Sequence, residues 1–257
     1  MLKRHKLKDI IRVTFSLAKV SFRLRIEGSY LGIFWYLLNP LLLFAVLMLV
    51  KAAAFANVNI PYYPLYLLIG ITGFNFFKSA ITGAIDVMSN NPDYIKSINR
   101  VAPEALVASV VLQAVFSHVF EFIMIIALAL YLQAPLVGLL FYPLVLCLFA
   151  VMILGISLIF ATVGIYINDL NNVWLILTQV LLLATPIFYV IEPSSFIYTA
   201  NLFNPLFYFL EVSRPLVMFG QAPDLGILLT MIGMSAFFLM LGVLVFNRYK
   251  NKFAELL

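Results

Sequence analysis

The stretch Tyr166 to Tyr189 reads YINDLNNVWLILTQVLLLATPIFY. A short polar turn, Asn168-Asp169-Leu170-Asn171-Asn172, opens directly into an apolar run, and Leu170 to Ile191 is 22 residues without a charge. At the helical rise, a run of that length covers roughly 33 Å, enough for a bilayer core of roughly 30 Å. The reading therefore predicts a membrane span with an acidic and amide cluster at one surface. Thr185-Pro186-Ile187-Phe188-Tyr189 would lie near the other, where aromatics belong.

The rest of the chain agrees with a membrane solvent. Of 257 residues, 64% are hydrophobic and 11% charged, against about 25% charged in a soluble domain. Apolar runs are continuous over 20 or more residues, which predicts helices, because barrel strands alternate over about 10. The net charge of +5 reflects topology and not nucleic-acid binding, because the basic residues cluster at the edges of the apolar runs. Cys147 has no partner for an intrachain disulfide.

Upstream, residues 1–29 hold eight basic residues. On a helical wheel, Lys8, Arg12, Ser16, Lys19 and Arg23 fall within about 80°, opposite Leu7, Ile10, Ile11, Leu17 and Ala18. This predicts an amphipathic helix lying in the cytoplasmic interface. Six spans follow in the reading: Leu31 to Val50, with Pro40 distorting it locally; about Tyr62 to Ile85; about Glu104 to Gln133; about Leu136 to Ile165, with Gly155 and Gly164 as close-packing positions; Leu170 to Ile191; and Leu225 to Phe246. Glu192 to Pro223 is too aromatic for a solvated loop, yet Pro193, Pro205, Pro215 and Pro223 forbid one continuous span. Short re-entrant outer helices fit it. Basic residues in 1–29, Lys96, Arg100, Arg248, Lys250 and Lys252 fall inside, and Lys51 and Arg214 outside. Both termini are thus expected to be cytoplasmic. The expected organisation is a single all-α integral membrane domain over 1–257: interface helix 1–29, spans one to five over 30–192, outer gate segment 193–223, then span six and tail over 224–257.

The sequence carries no phosphate-binding glycine loop. Gly73-Phe74-Asn75-Phe76-Phe77-Lys78-Ser79 lacks the second glycine and lies inside a span. It shows no metal-ligand spacing and no paired acidic site, so no catalytic or metal residue is assigned. His118 and Glu121 sit one turn apart inside the third span, while Lys78 lies too far toward the inner end to bridge easily to Glu121. The pair either satisfies itself in the bundle or couples transport to an ion. Phe34-Trp35-Tyr36, Phe188-Tyr189, and Phe203 with Phe207, Tyr208 and Phe209 are concentrated aromatic clusters. The first two suit a passage whose flat faces let sugar rings slide without a deep binding well.

Arg25-Ile26-Glu27-Gly28-Ser29-Tyr30-Leu31-Gly32-Ile33-Phe34-Trp35, then Leu38-Asn39-Pro40-Leu41, resembles the start of the ABC-2 type permeases of polysaccharide export. The turn at Asp169, the run Thr185 to Tyr189, and Asn204-Pro205-Leu206 extend the likeness across nearly the whole chain. The closest likeness is to the O-antigen (Wzm type) permeases, with teichoic-acid exporters near. Asn168 and Val101-Ala102 depart from that pattern, where an Arg and an aromatic are usual. The resemblance implies a homodimer in the bacterial inner membrane with two copies of a separate ATPase, which would hold ATP and Mg, moving an undecaprenyl-diphosphate-linked polysaccharide. It implies ATPase-coupling roles for Asn91, Asp93, Tyr94, Lys96, Arg100, Asn168 and Asp169. A substrate channel would use Phe34, Trp35, Tyr36, Phe188 and Tyr189, and an outer gate Phe203, Phe207 and Tyr208. Arg23 and Arg25 would meet the lipid head-group, since Arg clamps phosphate. Teichoic acid, capsule, a small hydrophobic cargo, or ion coupling through His118 and Glu121 are the alternative readings.

Overall fold

A computed structural model describes residues 7–27, 32, 34–54, 60–89, 102–167 and 169–253. The described residues form helices and no strand: α1 (Leu7–Glu27), α2 (Phe34–Ala54), α3 (Tyr63–Ser89), α4 (Pro103–Tyr131), α5 (Val137–Tyr166), α6 (Leu170–Ala184), α7 (Phe196–Asn201), α8 (Pro205–Phe219) and α9 (Leu225–Tyr249). Among them, four are long and apolar enough to cross a membrane: α3, α4, α5 and α9. α2 and α6 are apolar but shorter. The chain is a membrane protein, as its composition requires.

Local chemistry sets the boundaries. Pro103 and Pro205 open their helices at the first turn, where a missing N–H costs nothing. The side chains of Asn204 and Asp224 accept from the backbone N–H of Leu206 and Ile227 and cap α8 and α9. Gly220 ends α8 at φ 63°, a left-handed conformation that favours glycine. Pro40 lies inside α2, which runs on through it.

The fifth span departs from expectation. A continuous helix from Leu170 to Ile191 is not formed; α6 stops at Ala184 after 15 residues, about 22 Å. Pro186 is the cause, because it forces the preceding residue out of the helical region. Thr185 is accordingly extended, at φ −81° and ψ 139°. Thr185 to Tyr189 then form a non-helical strap before α7.

α3 is the central helix and packs against α2, α4, α5, α6 and α8. Its aromatic face is the middle of the core: Phe77 stacks on Phe149, Phe76 meets Phe149 edge-on, and Phe149 stacks on Phe209 of α8 at 4.3 Å. α5 and α9 make the most intimate helix pair. A Cβ on Gly155 would collide with the backbone of Phe238, and one on Gly242 with the backbone of Gly155. Gly164 approaches Ile85 of α3. Both expected close-packing glycines of α5 thus meet neighbouring helices, as small residues do where membrane helices touch.

A second, smaller cluster ties one end of the bundle together. Met88 of α3, Leu106 and Val107 of α4, Ile165 of α5, and Phe246 and Phe253 meet there, with Leu17 of α1 against them. α1 runs along the first half of α4, with Phe22 edge-on to Phe116 and stacked on Phe120. At this end Lys250 also forms an ion pair with Glu104.

Candidate functional site

The first part of the site is a cleft of about 890 Å³ at that same end, walled by α1, α2, α3 and α4. Polar side chains gather there among apolar ones, although the helices around it are apolar. Asn39 comes from α2, Asn75, Lys78, Ser79, Thr82 and Asp86 from α3, and Gln113, Ser117 and Glu121 from α4. The spacing explains this: residues 75, 78, 79, 82 and 86 recur every three or four positions and share one face of α3. Trp35 adds an indole to the α2 wall.

Behind the cleft lies a buried relay. The Nδ1–H of His118 donates to Oε2 of Glu121 at 2.8 Å. In the neutral imidazole this leaves Nε2 to accept from the Tyr142 hydroxyl, also at 2.8 Å. His118 and Tyr142 are fully buried and Glu121 nearly so. His118 stacks against Tyr142 and tilts over Phe76. Two of the three members were visible in the sequence as an i,i+3 pair. Tyr142 was not, because it comes from the next helix, 24 residues away. Lys78 and Glu121 both line the cleft and form no ion pair with each other.

The second part is the strap at the opposite end of α3. Four consecutive carbonyls leave the helical pattern there, and all four accept from side chains. Tyr66 shares its one hydroxyl proton between the carbonyls of Tyr189 (2.7 Å) and Pro186 (3.2 Å). Tyr63 donates to Phe188 (3.0 Å) and Arg214 to Ile187 (3.0 Å). Asn204 donates to the Thr185 hydroxyl and to Asn201, which in turn donates to the Ala184 carbonyl at the end of α6. Arg214, expected on the outer side within the helical segment 193–223, is a buried residue of α8. Sequence reasoning missed this clamp. Its one local signal is the i,i+3 pair Tyr63 and Tyr66, which places both hydroxyls on one face of α3.

The expected channel residues divide between the two parts. Phe34 and Trp35 are exposed near the start of α2; the side chain of Tyr36 lies outside the described residues. Phe188 and Tyr189, on the strap, are half-buried and meet edge-to-face at 5.0 Å. Of the expected gate residues, Phe203 is exposed, whereas Phe207 and Tyr208 are buried and meet edge-to-face. Tyr208 donates to the Leu202 carbonyl between α7 and α8.

At the α1 end, Arg23 is exposed and its Nε–H donates to Glu27 at 2.5 Å; the Arg25 side chain lies outside the described residues. Asn91, Asp93, Tyr94, Lys96, Arg100 and Asn168 also lie outside them. Asp169 is exposed at the start of α6. Its turn is fixed to α3 by two bonds: Asn171 donates to Asp86 at 2.7 Å, and the indole of Trp174 to Thr82 at 2.9 Å.

Residues 12–218 match the family model described as ABC-2 type transporter. The chain is 24% identical over 244 residues to the O-antigen export system permease protein RfbA of Myxococcus xanthus, covering 93% of each chain. It is 26% and 27% identical, each over 248 residues and 91% of each chain, to two proteins of the same name from Klebsiella pneumoniae.

Proposed function

The chain belongs to the ABC-2 type transporter family, and on that premise we propose that it is the membrane subunit of an exporter of undecaprenyl-diphosphate-linked polysaccharide of the O-antigen class. The observation that carries this reading is the likeness, over 91% or more of the chain, to three proteins named O-antigen export permeases. Two copies of the chain would assemble with two copies of a separate ATPase, which binds ATP and Mg and hydrolyses the nucleotide. This chain would contribute the path and no catalytic group.

The proposed arrangement is six crossings of the bacterial inner membrane with both termini cytoplasmic. α2 and α6 would complete the four long spans, and α1 would lie on the cytoplasmic interface with Arg23 and Arg25 near the diphosphate. α7 and α8 would form the outer segment, with Phe203, Phe207 and Tyr208 at the gate. The form of α6 supports a second copy. Its buried residues are Leu170, Trp174 and Thr178, a stripe one residue wide, while Val173, Ile176, Val180 and Leu183 are exposed. Placing such faces around a shared axis gives a passage edged by Phe34, Trp35, Phe188 and Tyr189. Aromatic faces there would carry sugar rings through weak, repeated contacts.

The coupling elements would be the loop with Asn91, Asp93, Tyr94, Lys96 and Arg100, and the turn of Asn168 and Asp169. The bonds from Asn171 and Trp174 to α3 favour this role, because a push on the turn moves α3 and α6 together.

Co-purification tests the reading. The tagged chain, solubilised in mild detergent from its native host, is expected to bring an ATP-binding protein in equal amount, in a complex of two copies of each, with lipid-linked glycan bound. Recovery of the chain alone, with no ATPase, would overturn it.

A further inference from the structure

We propose that the cleft between α1, α2, α3 and α4 is a sugar-binding vestibule that holds one short stretch of the polymer beside the buried Glu121. The proposal rests on the exporter reading above for the identity of its ligand. It differs from the aromatic passage in lying inside one copy of the chain and in gathering Asn75, Lys78, Gln113 and Glu121, with Trp35 where the two meet.

Size and chemistry both point to a polyhydroxylated ligand. A volume of about 890 Å³ lies within the range of small-molecule sites, roughly 300–1,000 Å³. The lining mixes donors and acceptors. Gln113 offers both, as does Asn75 beyond its bond to Glu121. The hydroxyls of Ser79 and Ser117 donate to the Phe76 and Gln113 carbonyls and so offer acceptors, while Lys78 offers only donors and Glu121 an acceptor. A bare cation calls for acceptors alone, and a phosphate for donors alone. A sugar ring presents hydroxyls that do both, and one apolar face that suits an indole such as Trp35.

The carboxylate is prepared for this use. Glu121 spends one oxygen on His118, which Tyr142 holds from behind, and the same side chain lines the cleft. A rigid acceptor at the end of a fixed relay costs little ordering when a hydroxyl arrives. Lys78 lines the same cleft and, among the described residues, forms no ion pair. Polar side chains gathered at span depth around one cleft commonly mark a substrate path.

Thiol labelling in native membranes tests the site. In a Cys147→Ser background, Ser79→Cys and, separately, Gln113→Cys are treated with 2-(trimethylammonium)ethyl methanethiosulfonate. Each is compared in a host making the glycan and in one lacking the transferase that adds the first sugar. Co-purification at wild-type yield confirms that each variant folds. The expected result is prompt labelling without glycan and labelling slowed several-fold with it. Equal rates in the two hosts would overturn the site, as would no labelling of either cysteine in the glycan-free host. Deletion of the chain separates the two readings. If glycan still reaches the surface, the exporter reading fails. If it does not, and the labelling rates are equal, only the vestibule fails.

Discussion

The guanidinium of Arg214 sits over the ring of Tyr66, 3.4 Å from its centroid, and the two side chains hold neighbouring carbonyls of the same strap. Pro186 breaks the helix, and a broken helix in an apolar setting leaves carbonyls without partners, each costing several kcal/mol in hydrocarbon. Tyr63, Tyr66 and Arg214 supply those partners. The strap keeps its shape because α3 and α8 make its hydrogen bonds for it, and Phe188 and Tyr189 are carried on that shape.

Replacing Arg214 is therefore expected to loosen the strap. Arg214→Met removes the bond to Ile187, about 1–3 kcal/mol for a buried partner left unmet, and the ring contact, up to about 2 kcal/mol. Arg214→Lys keeps the charge but not the planar fork, and should recover only part of the loss. Thermal unfolding of the detergent-purified protein checks this. Wild-type midpoints for both variants would mean that the clamp does not hold the strap.

The α5–α9 contact gives a second expectation. Gly242 faces the backbone of Gly155 with no room for a side chain, so Gly242→Val must push the helices apart. Overpacking of this kind costs about 1–3 kcal/mol. The Ser235 hydroxyl, two turns earlier, shares its proton between the Met231 carbonyl (2.7 Å) and the Leu148 carbonyl of α5 (3.2 Å), and the second contact would stretch as the helices part. Gly233 has open space at its Cβ position, and Gly233→Val is the control. A lower midpoint for Gly242→Val alone is expected; equal midpoints would show that the interface yields without cost.

Asp169 tests the coupling assignment. It is exposed and its side chain makes no cap bond to α6. Asp169→Lys places a cation at a helix N-terminus, a penalty of about 0.3–1 kcal/mol, too small to unfold the chain. Insertion and assembly should survive, while ATP hydrolysis continues without export. Surface glycan and ATPase rate measured on one strain decide it, and unchanged surface glycan would remove Asp169 from the coupling path.

The sequence was most legible where hydropathy alone sets the answer. A span expected at Leu136 to Ile165 is found at Val137–Tyr166, because an uncharged run of that length admits one structure in lipid. The same logic failed at Leu170 to Ile191, where charge-free length said one helix and a single proline ended it at Ala184. The partners of Arg214 were hidden for a different reason. Counting charges puts Arg214 on the outer side but names no partner for it, and only the fold brings Tyr66 and the Ile187 carbonyl to it. Polar partners distant in sequence, such as Tyr142 for His118, are invisible to any local pattern.

The His118–Glu121 pair yields the last expectation, and its sign separates a structural role from ion coupling. Every polar atom that links the three residues has a partner in the relay: Glu121 accepts, His118 donates and accepts, Tyr142 donates. Glu121→Gln keeps an oxygen able to accept from Nδ1–H, so the relay closes without a charge. Glu121→Leu leaves that N–H buried and unmet, about 1–3 kcal/mol. If the relay supports the bundle and the cleft, Glu121→Gln should keep wild-type stability and Glu121→Leu should not. Glycan translocation into sealed vesicles should then follow ATP and ignore a protonophore. An ion-coupled transporter gives the opposite pattern, with Glu121→Gln stable but inactive and transport lost when the proton gradient collapses, because coupling needs a group that changes charge and an amide does not.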